Sequence, residues 1–540
     1  MITKKYNELN GYDNPKEKNE ATSSEQINKI PWRSMLIVLF LLNSVLCNAQ
    51  LLSQELTYNN SPARSDQASP NMVFILVDDL GWSDLGSYGN GFIETPAIDK
   101  LAKSGMRFTA AYTAAVCMPS RGMILSGQYN ARTGLYKVPF KPNDRPWAKI
   151  IPPELWGDSP VNAEPLGVLL TRGGYESKII GKIHVPEAFT TGMTGKSNSS
   201  TDPFQLKNRE IFSYPENAEA ALGKSFYNKV TEFSEANPGK KVGTITKQAI
   251  EFIASNKDKP FFLYVGHHIP HIPLVAREEL NRKYEEKWKR NPGKIHPHYA
   301  AMCEAMDESV GLILESLDQL ELSKNTMVVF FSDNGGVFHC FADGKGAQIT
   351  DMSPLRGEKG GILEGGIRVP MIVRWPGKVR PNSVCDTPVV SVDFLPTFTE
   401  VAGIGMPEEQ LTDGVSLVPI LTEKGQLKNR EIFSYFPDYH HDFPGVAVRQ
   451  GDYKLIKASE DGHLELYNLA DDPGEGTNLA SRLPEKAAEL QGIMMNWLER
   501  VGARNVTPNP DYDPLKAHIL NPDEEQRRND YLPVPLPKIK

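Results

Sequence analysis

The sequence predicts an α/β protein: a parallel sheet covered by helices, followed by a smaller segment carrying an antiparallel sheet. Two observations point there. Short, almost continuously apolar runs recur from about residue 71 to 425, as expected of strands buried on both faces. Between them lie segments with helical spacing of apolar residues. The chain has 540 residues, 40% of them hydrophobic and 23% charged, enough for a large core and more than one domain. Its formal net charge of -8 gives no basic stripe for a nucleic-acid partner.

The first apolar run, "MLIVLFLLNSVLCNAQ" (35–50), follows Arg33 and ends in small residues suited to cleavage after Ala49. It reads as an export signal over residues 1–49, with a membrane anchor as the alternative; after cleavage no stable membrane insertion is expected. Leu46 before Cys47 makes a poor lipoprotein site. A polar, turn-rich linker follows at 50–70. Export places the protein in the periplasm of a Gram-negative cell, or outside the cell otherwise. Cleavage leaves Cys117, Cys303, Cys340 and Cys385, too few for a disulfide framework, so the fold rests on its core.

The strand runs are "MVFILV" (72–77), "FFLYV" (261–265), "TMVVFF" (326–331) and "MIVRW" (371–375). Met302, Met306, Val310, Ile313, Leu317 and Leu320 recur at spacings of three and four, one face of a helix. "VAVRQGDYKLIKASEDGHLELYNL" alternates with turn signals and reads as antiparallel strands, with a closing helix near 484–500. The string "QLKNREIFSY" occurs at both 205–214 and 426–435. One recurrence is no solenoid period, and it has no physical account here.

The strand at 72–77 runs directly into Asp78-Asp79, and that at 326–331 into Ser332, Asp333 and Asn334. Ligands of open α/β sheets gather outside the carboxyl ends of the strands. Three carboxylates and an amide there suit a hard cation, Ca²⁺ before Mg²⁺, rather than Zn²⁺. The alternative is that these residues only form turns. In "VGHHIPHIPL" (265–274), His267 and His271 have the spacing of a helical zinc pair, but Pro270 and Pro273 predict a loop, which favours a general acid or anion contact. "GKIHVP" (181–186) carries Lys182 and His184 two apart, on one side of an extended segment. Lys359 sits among glycines in "PLRGEKGGILEGGIRVP" (354–370), where backbone can approach a ligand closely. In "AVCMPSRGMILSG" (115–127), Pro119 suits a first helical turn and Gly127 a helix end, so Cys117 is expected just outside a helix N-terminus that favours negative charge. Together these residues describe a pocket for a tetrahedral oxyanion.

Cys117-Met118-Pro119-Ser120-Arg121 fits the C-x-P-x-R core at which type I sulfatases convert cysteine to formylglycine, with Met118 where Ser or Thr is usual. From about 71 to 512 the chain resembles that family, the arylsulfatase-like branch of the alkaline phosphatase superfamily. The resemblance implies a mixed sheet sandwiched by helices, with a catalytic domain at 71–425 and a C-terminal α+β subdomain and tail at 426–540. It implies Asp78, Asp79, Asp333, Asn334 and the modified Cys117 as metal ligands, and Lys182, His184, His271, Lys359 and Arg121 as catalytic residues. The hydrated aldehyde would attack sulfur in line, His271 protonating the leaving alcohol and His184 deprotonating the second hydroxyl, while Arg121 positions the nucleophile. Expected partners are a sulfated glycan and a formylglycine-generating enzyme. "SYFPDYHHDFPG" (434–445) offers His440 and His441 as substrate contacts. The rival readings are a phosphonate or phosphate ester hydrolase of the same superfamily and a non-catalytic glycan-binding relative.

Overall fold

The computed structural model describes residues 69–138, 147–155, 157–194, 217–338 and 348–516. The export segment, nearly all of the linker, the first copy of the repeated string and Cys340 lie outside them. Eight strands form the main sheet: β1 (Asn71–Asp78), β2 (Met106–Tyr112), β3 (Glu176–Gly181), β4 (Phe261–Pro270), β5 (Thr326–Ser332), β6 (Arg368–Arg374), β7 (Ser383–Cys385) and β8 (Val389–Val390). Their order is β3-β4-β1-β5-β6-β2-β7, with β8 also on β2. The contiguous block β3-β4-β1-β5 is parallel, whereas β6 runs antiparallel to β5 and β2. The purely parallel sheet read from the apolar runs is therefore corrected to the mixed sheet that the family resemblance implied. An apolar run shows that a strand is buried on both faces, not which way it points.

Every residue of β1 is buried, and its side chains divide by parity between two layers. Val73, Ile75 and Val77 join a cluster with helices α1 (Pro96–Lys103), α5 (Val242–Ser255) and α7 (Pro297–Gln319). Met72, Phe74 and Leu76 face α2 (Cys117–Ser126), α3 (Leu166–Arg172) and α8 (Phe394–Val401). Each such fully buried aliphatic side chain contributes roughly 1.5–3 kcal/mol. Two further helices, α4 (Lys224–Ala236) and α6 (Glu278–Arg290), pack outside α5 and α7. Among the described residues, no helix is long and apolar enough to cross a membrane.

Four antiparallel strands, β9 (Glu431–Phe436), β10 (Gly445–Gln450), β11 (Tyr453–Ala458) and β12 (Leu464–Asn468), form the second sheet, backed by α9 (Pro484–Arg500). The second copy of the repeated string feeds β9. Trp497 of α9 stacks on Phe433 at 4.3 Å and meets Tyr129 edge-on at 5.4 Å, which locks this sheet against the segment after α2. Cys117, Cys303 and Cys385 are free thiols, so no disulfide shares the load among the described residues.

Candidate active site

Because β3, β4, β1 and β5 are parallel neighbours, their carboxyl ends open on one edge of the sheet. Register fixes the meeting: Asp78 lies opposite Pro270, and Val77 opposite Ser332. The residues just beyond each strand are then Lys182, His271, Asp79 and Asp333-Asn334. α2 closes the site from the other side. It starts at Cys117 itself, one residue earlier than expected, with Val116 as the cap. Cys117 and Arg121, four apart, share one helix face.

The carboxylates are fully shielded: Asp78, Asp333 and Asn334 are 0% exposed and Asp79 is 2% exposed. Asp79 takes a left-handed φ of 66°, and its backbone N–H donates to Asp333 Oδ1 at 3.3 Å. Arg121 donates to Asp333 Oδ2 from Nε at 2.9 Å and Nη2 at 2.6 Å, and to the Lys182 carbonyl at 2.7 Å. Lys182 pairs with Asp78, and Lys359 pairs with both oxygens of Asp79 at 2.6 and 2.8 Å. Asn334 Nδ2 donates to Asp79 Oδ1 at 2.8 Å. Cys117 Sγ lies 3.2 Å from His184 Nδ1, and His184 reaches it from a left-handed φ of 58° rather than the extended backbone the sequence suggested.

Burial opposes ionisation of Asp78, but Lys182, His271, Arg121 and Lys359 overcome it and hold this carboxyl well below its usual range. Asp333 goes the other way: burial and the charge of Asp78 push it up to about 7 despite Arg121. Three carboxylates in one dry cluster thus repel each other, and a divalent cation would relieve that repulsion. The donor set fits such an ion. Asp78 Oδ1 and Asn334 Oδ1 are buried without a hydrogen-bond partner, and ligand atoms of Asp78, Cys117 and Asp333 lie within 4.8 Å of one another. With hard oxygens dominating, the residues suit Ca²⁺ or Mg²⁺.

Burial, reinforced by Lys182, pulls His184 well below its usual value, so its imidazole is neutral at neutral pH. His271 turns Nε2 toward Asp79 Oδ2 at 3.6 Å and Nδ1 toward the Ile272 carbonyl. Both ring nitrogens face acceptors, as an imidazolium would, yet burial outweighs Asp79 and takes His271 down to about 4. Some 23% of its side chain still reaches solvent, the side from which a substrate would enter.

The loop expected from His267 to His271 begins only after Pro270, so His271 lies in it, whereas His267 and its neighbour His268 belong to the end of β4. Both residues fall in a break in the register between Gly266, opposite Leu76, and Pro270, which lies opposite Asp78 and closes the strand. His267 is fully buried and pairs with Ser309 at 3.1 Å, away from the carboxylates. His440 and His441 come close to the Lys359 loop. His441 Nδ1 is 3.3 Å from Glu358 Oε2, and a Cβ on Gly360 (φ 82°) would fall 2.3 Å from His440 Nδ1, so only glycine fits there. Sequence reasoning missed Tyr264, 3.4 Å from Arg121, and Asp84, which Tyr299 and Thr350 hold beneath the Asp79 turn. It also missed Lys240, whose Nζ donates to the Ile272 carbonyl at 2.8 Å. Asp84 and Lys240 stand outside any patterned run, and Tyr264, within the run 261–265, reads there as a core residue.

Comparison with known proteins agrees with this geometry. The Sulfatase family model matches residues 70–404, and one described as N-sulphoglucosamine sulphohydrolase, C-terminal, matches 358–503. A sulfatase of Formosa agariphila is 30% identical over 87% of this chain and 97% of its own. The N-acetylgalactosamine-6-sulfatase of Mus musculus is 30% identical over 71% of each chain. The fold also resembles Ps i-CgsB crystallised with k-i-k-neocarrahexaose, at a TM-score of 0.60 and 24% identity over 86% of this chain and 98% of that one. The chain therefore belongs to the sulfatase family and is a hydrolase of sulfuric esters.

Proposed function

We propose that this sulfatase removes O-sulfate groups from polysaccharide or oligosaccharide fragments, using formylglycine made from Cys117 by a maturing enzyme. The observation that carries the reading is the convergence of Cys117, at the first turn of α2, on His184 and on the buried Asp78–Asp333 pair. The likeness to N-acetylgalactosamine-6-sulfatases supports a sulfated sugar as substrate. Asp78, Asp79, Asp333 and Asn334, with residue 117, would hold one Ca²⁺, which supplies charge stabilisation and lowers the pKa of a coordinated hydroxyl. Formylglycine supplies the hydroxyl nucleophile when hydrated.

The chain's own residues do the rest. Lys182 and Lys359 are the ammonium groups that bind the sulfate oxygens and stabilise the negative charge that develops there. Arg121, pinned by two hydrogen bonds to Asp333 and one to the Lys182 carbonyl, fixes the first turn of α2 and so the aim of residue 117. His184 Nδ1, beside residue 117, accepts the proton of its second hydroxyl, and His271, once protonated on Nε2 beside Asp79 and the anionic substrate, delivers that proton to the departing sugar oxygen. His440 and His441 extend the sugar-binding wall from the C-terminal subdomain, which we place at 426–540 after a catalytic domain at 71–425. The apolar segment 35–50 supports export, to the periplasm in a Gram-negative cell.

A desulfation screen on defined sulfated oligosaccharides, run beside phosphate and phosphonate esters, tests this reading. Sulfate release from at least one glycan at rates well above either phosphorus ester is expected. Preference for a phosphorus ester would overturn it.

A further inference from the structure

Beside the sulfate pocket lies a second cationic corner that the catalytic set does not use. Lys240 stands in the turn "NPGKKVG" between α4 and α5, and both Lys240 (φ 51°) and Lys241 (φ 57°) are left-handed. The turn is clamped. Asn237 accepts from Arg277 at 3.2 Å, and its carbonyl accepts from the Gly243 N–H at 3.0 Å. A Cβ on Gly239 would come within 2.9 Å of Val275 Cγ1, so glycine is what lets this turn press against the loop that carries His271. There Lys240 Nζ and His271 Nδ1 share one acceptor, the Ile272 carbonyl.

Lys240 is close enough to feel the charges of Asp78, Asp79, Lys182 and Lys359, yet among the described residues its one hydrogen-bond acceptor is that neutral carbonyl. Burial pulls its ammonium down to about 8, with Asp78 opposing. Next to this corner, at the end of β4, His268 Nε2 is shielded from solvent without a hydrogen-bond partner and lies within electrostatic reach of Lys182, Asp78, Arg121 and Lys240. A half-buried cation and an orphaned ring nitrogen, both within electrostatic reach of Lys182 and Asp78, are the ingredients of a second anion site.

Resting on the sulfated-glycan reading, we propose that Lys240 and His268 form a subsite for a second anionic group on the substrate, a sulfate or carboxylate on the same or the adjoining sugar. The enzyme then prefers glycans with two nearby negative charges over singly sulfated ones. Lys240 donates to the second group while keeping His271 oriented through the shared carbonyl.

The test is calorimetric binding to full-length Cys117→Ser protein in Ca²⁺ buffer, which binds without turning over. The ligands are galactose 6-sulfate, galactose 2,6-disulfate and a 6-sulfated disaccharide containing glucuronate. The wild-type pocket should bind at least one doubly charged ligand about tenfold or more tighter than the singly charged one, the effect of one charge-assisted hydrogen bond. Lys240→Gln should bring that ratio to near one, and Lys240→Arg should keep most of it. His268→Gln should lower the ratio too, which preserves the test if a Lys240 variant fails to fold. Whichever doubly charged ligand loses its advantage identifies the second group as sulfate or carboxylate. A ratio near one without the Lys240 change, or the same ratio with it, overturns the subsite. Sulfate release by the matured wild type, measured alongside, keeps failure of the subsite distinct from failure of the sulfatase reading.

Discussion

Removing Asp333 should do more than remove a metal ligand; it should strand a charge. Arg121 is 0% exposed and spends two of its donors on Asp333, at 2.9 and 2.6 Å. In Asp333→Ala it keeps the Lys182 carbonyl at 2.7 Å and a distant Tyr264 hydroxyl at 3.4 Å, with Asp78 no nearer than 4.0 Å. Breaking a buried pair from one side costs about 3–5 kcal/mol, because the remaining ion is left dry and unpaired. Arg121→Met should cost a similar amount by leaving Asp333 beside Asp78. The double variant has no stranded ion, so its cost should fall short of the sum by about 2–3 kcal/mol. For a folded unit of this size, per-residue unfolding entropies make each kcal/mol worth about 1 °C. Thermal unfolding in EDTA, which keeps metal binding out of the comparison, should show each single variant melting about 3–5 °C lower and the double variant only slightly below either. Strictly additive losses would refute the picture of one coupled buried pair.

Three further outcomes follow from the same geometry. Ca²⁺ at a hundredfold excess over its dissociation constant should raise the melting temperature of EDTA-stripped protein by about 3 °C, and Asp78→Asn should remove most of that rise; no shift in the wild type would count against the cation site. His271→Ala should slow release of a sugar alcohol by about 10² or more but an activated phenol much less, since the phenol needs no proton; equal defects would leave His271 a binding residue. In unconverted protein, burial raises the Cys117 thiol despite Lys182 and Lys359. A raised thiol pKa keeps the reactive thiolate scarce at neutral pH and lets it grow as pH rises. Native alkylation at 117, followed by peptide mass spectrometry, should therefore be slower than that of free cysteine and climb from pH 7 to 9 without a plateau.

Much of this site was legible because the chemistry sits at the ends of the most regular elements. β1 and β5 announce themselves by apolar runs that end in Asp78-Asp79 and Asp333-Asn334. What hid was set by tertiary contact. β2 and β3 break the apolar pattern with Arg107, Thr109, Glu176 and Lys178, so their place in the sheet comes from neighbours rather than periodicity. β6 gives no local sign of its antiparallel direction. Pro270 suggested a loop, yet a strand can end on proline because the missing N–H falls at the last rung. Lys240 reaches the Ile272 carbonyl from a turn whose only signals are Pro238 and Gly239, which announce a bend but not what it approaches.

The central claim is that residue 117 of the active protein is formylglycine. Mass spectrometry of the tryptic peptide containing residue 117, taken from a preparation of measured sulfatase turnover, tests it most directly. Conversion exchanges H₂S for one oxygen and leaves an aldehyde that a hydrazide probe captures, so turnover should scale with the converted fraction across preparations made with and without a maturing enzyme. A fully active preparation whose Cys117 is intact and alkylatable would contradict the account.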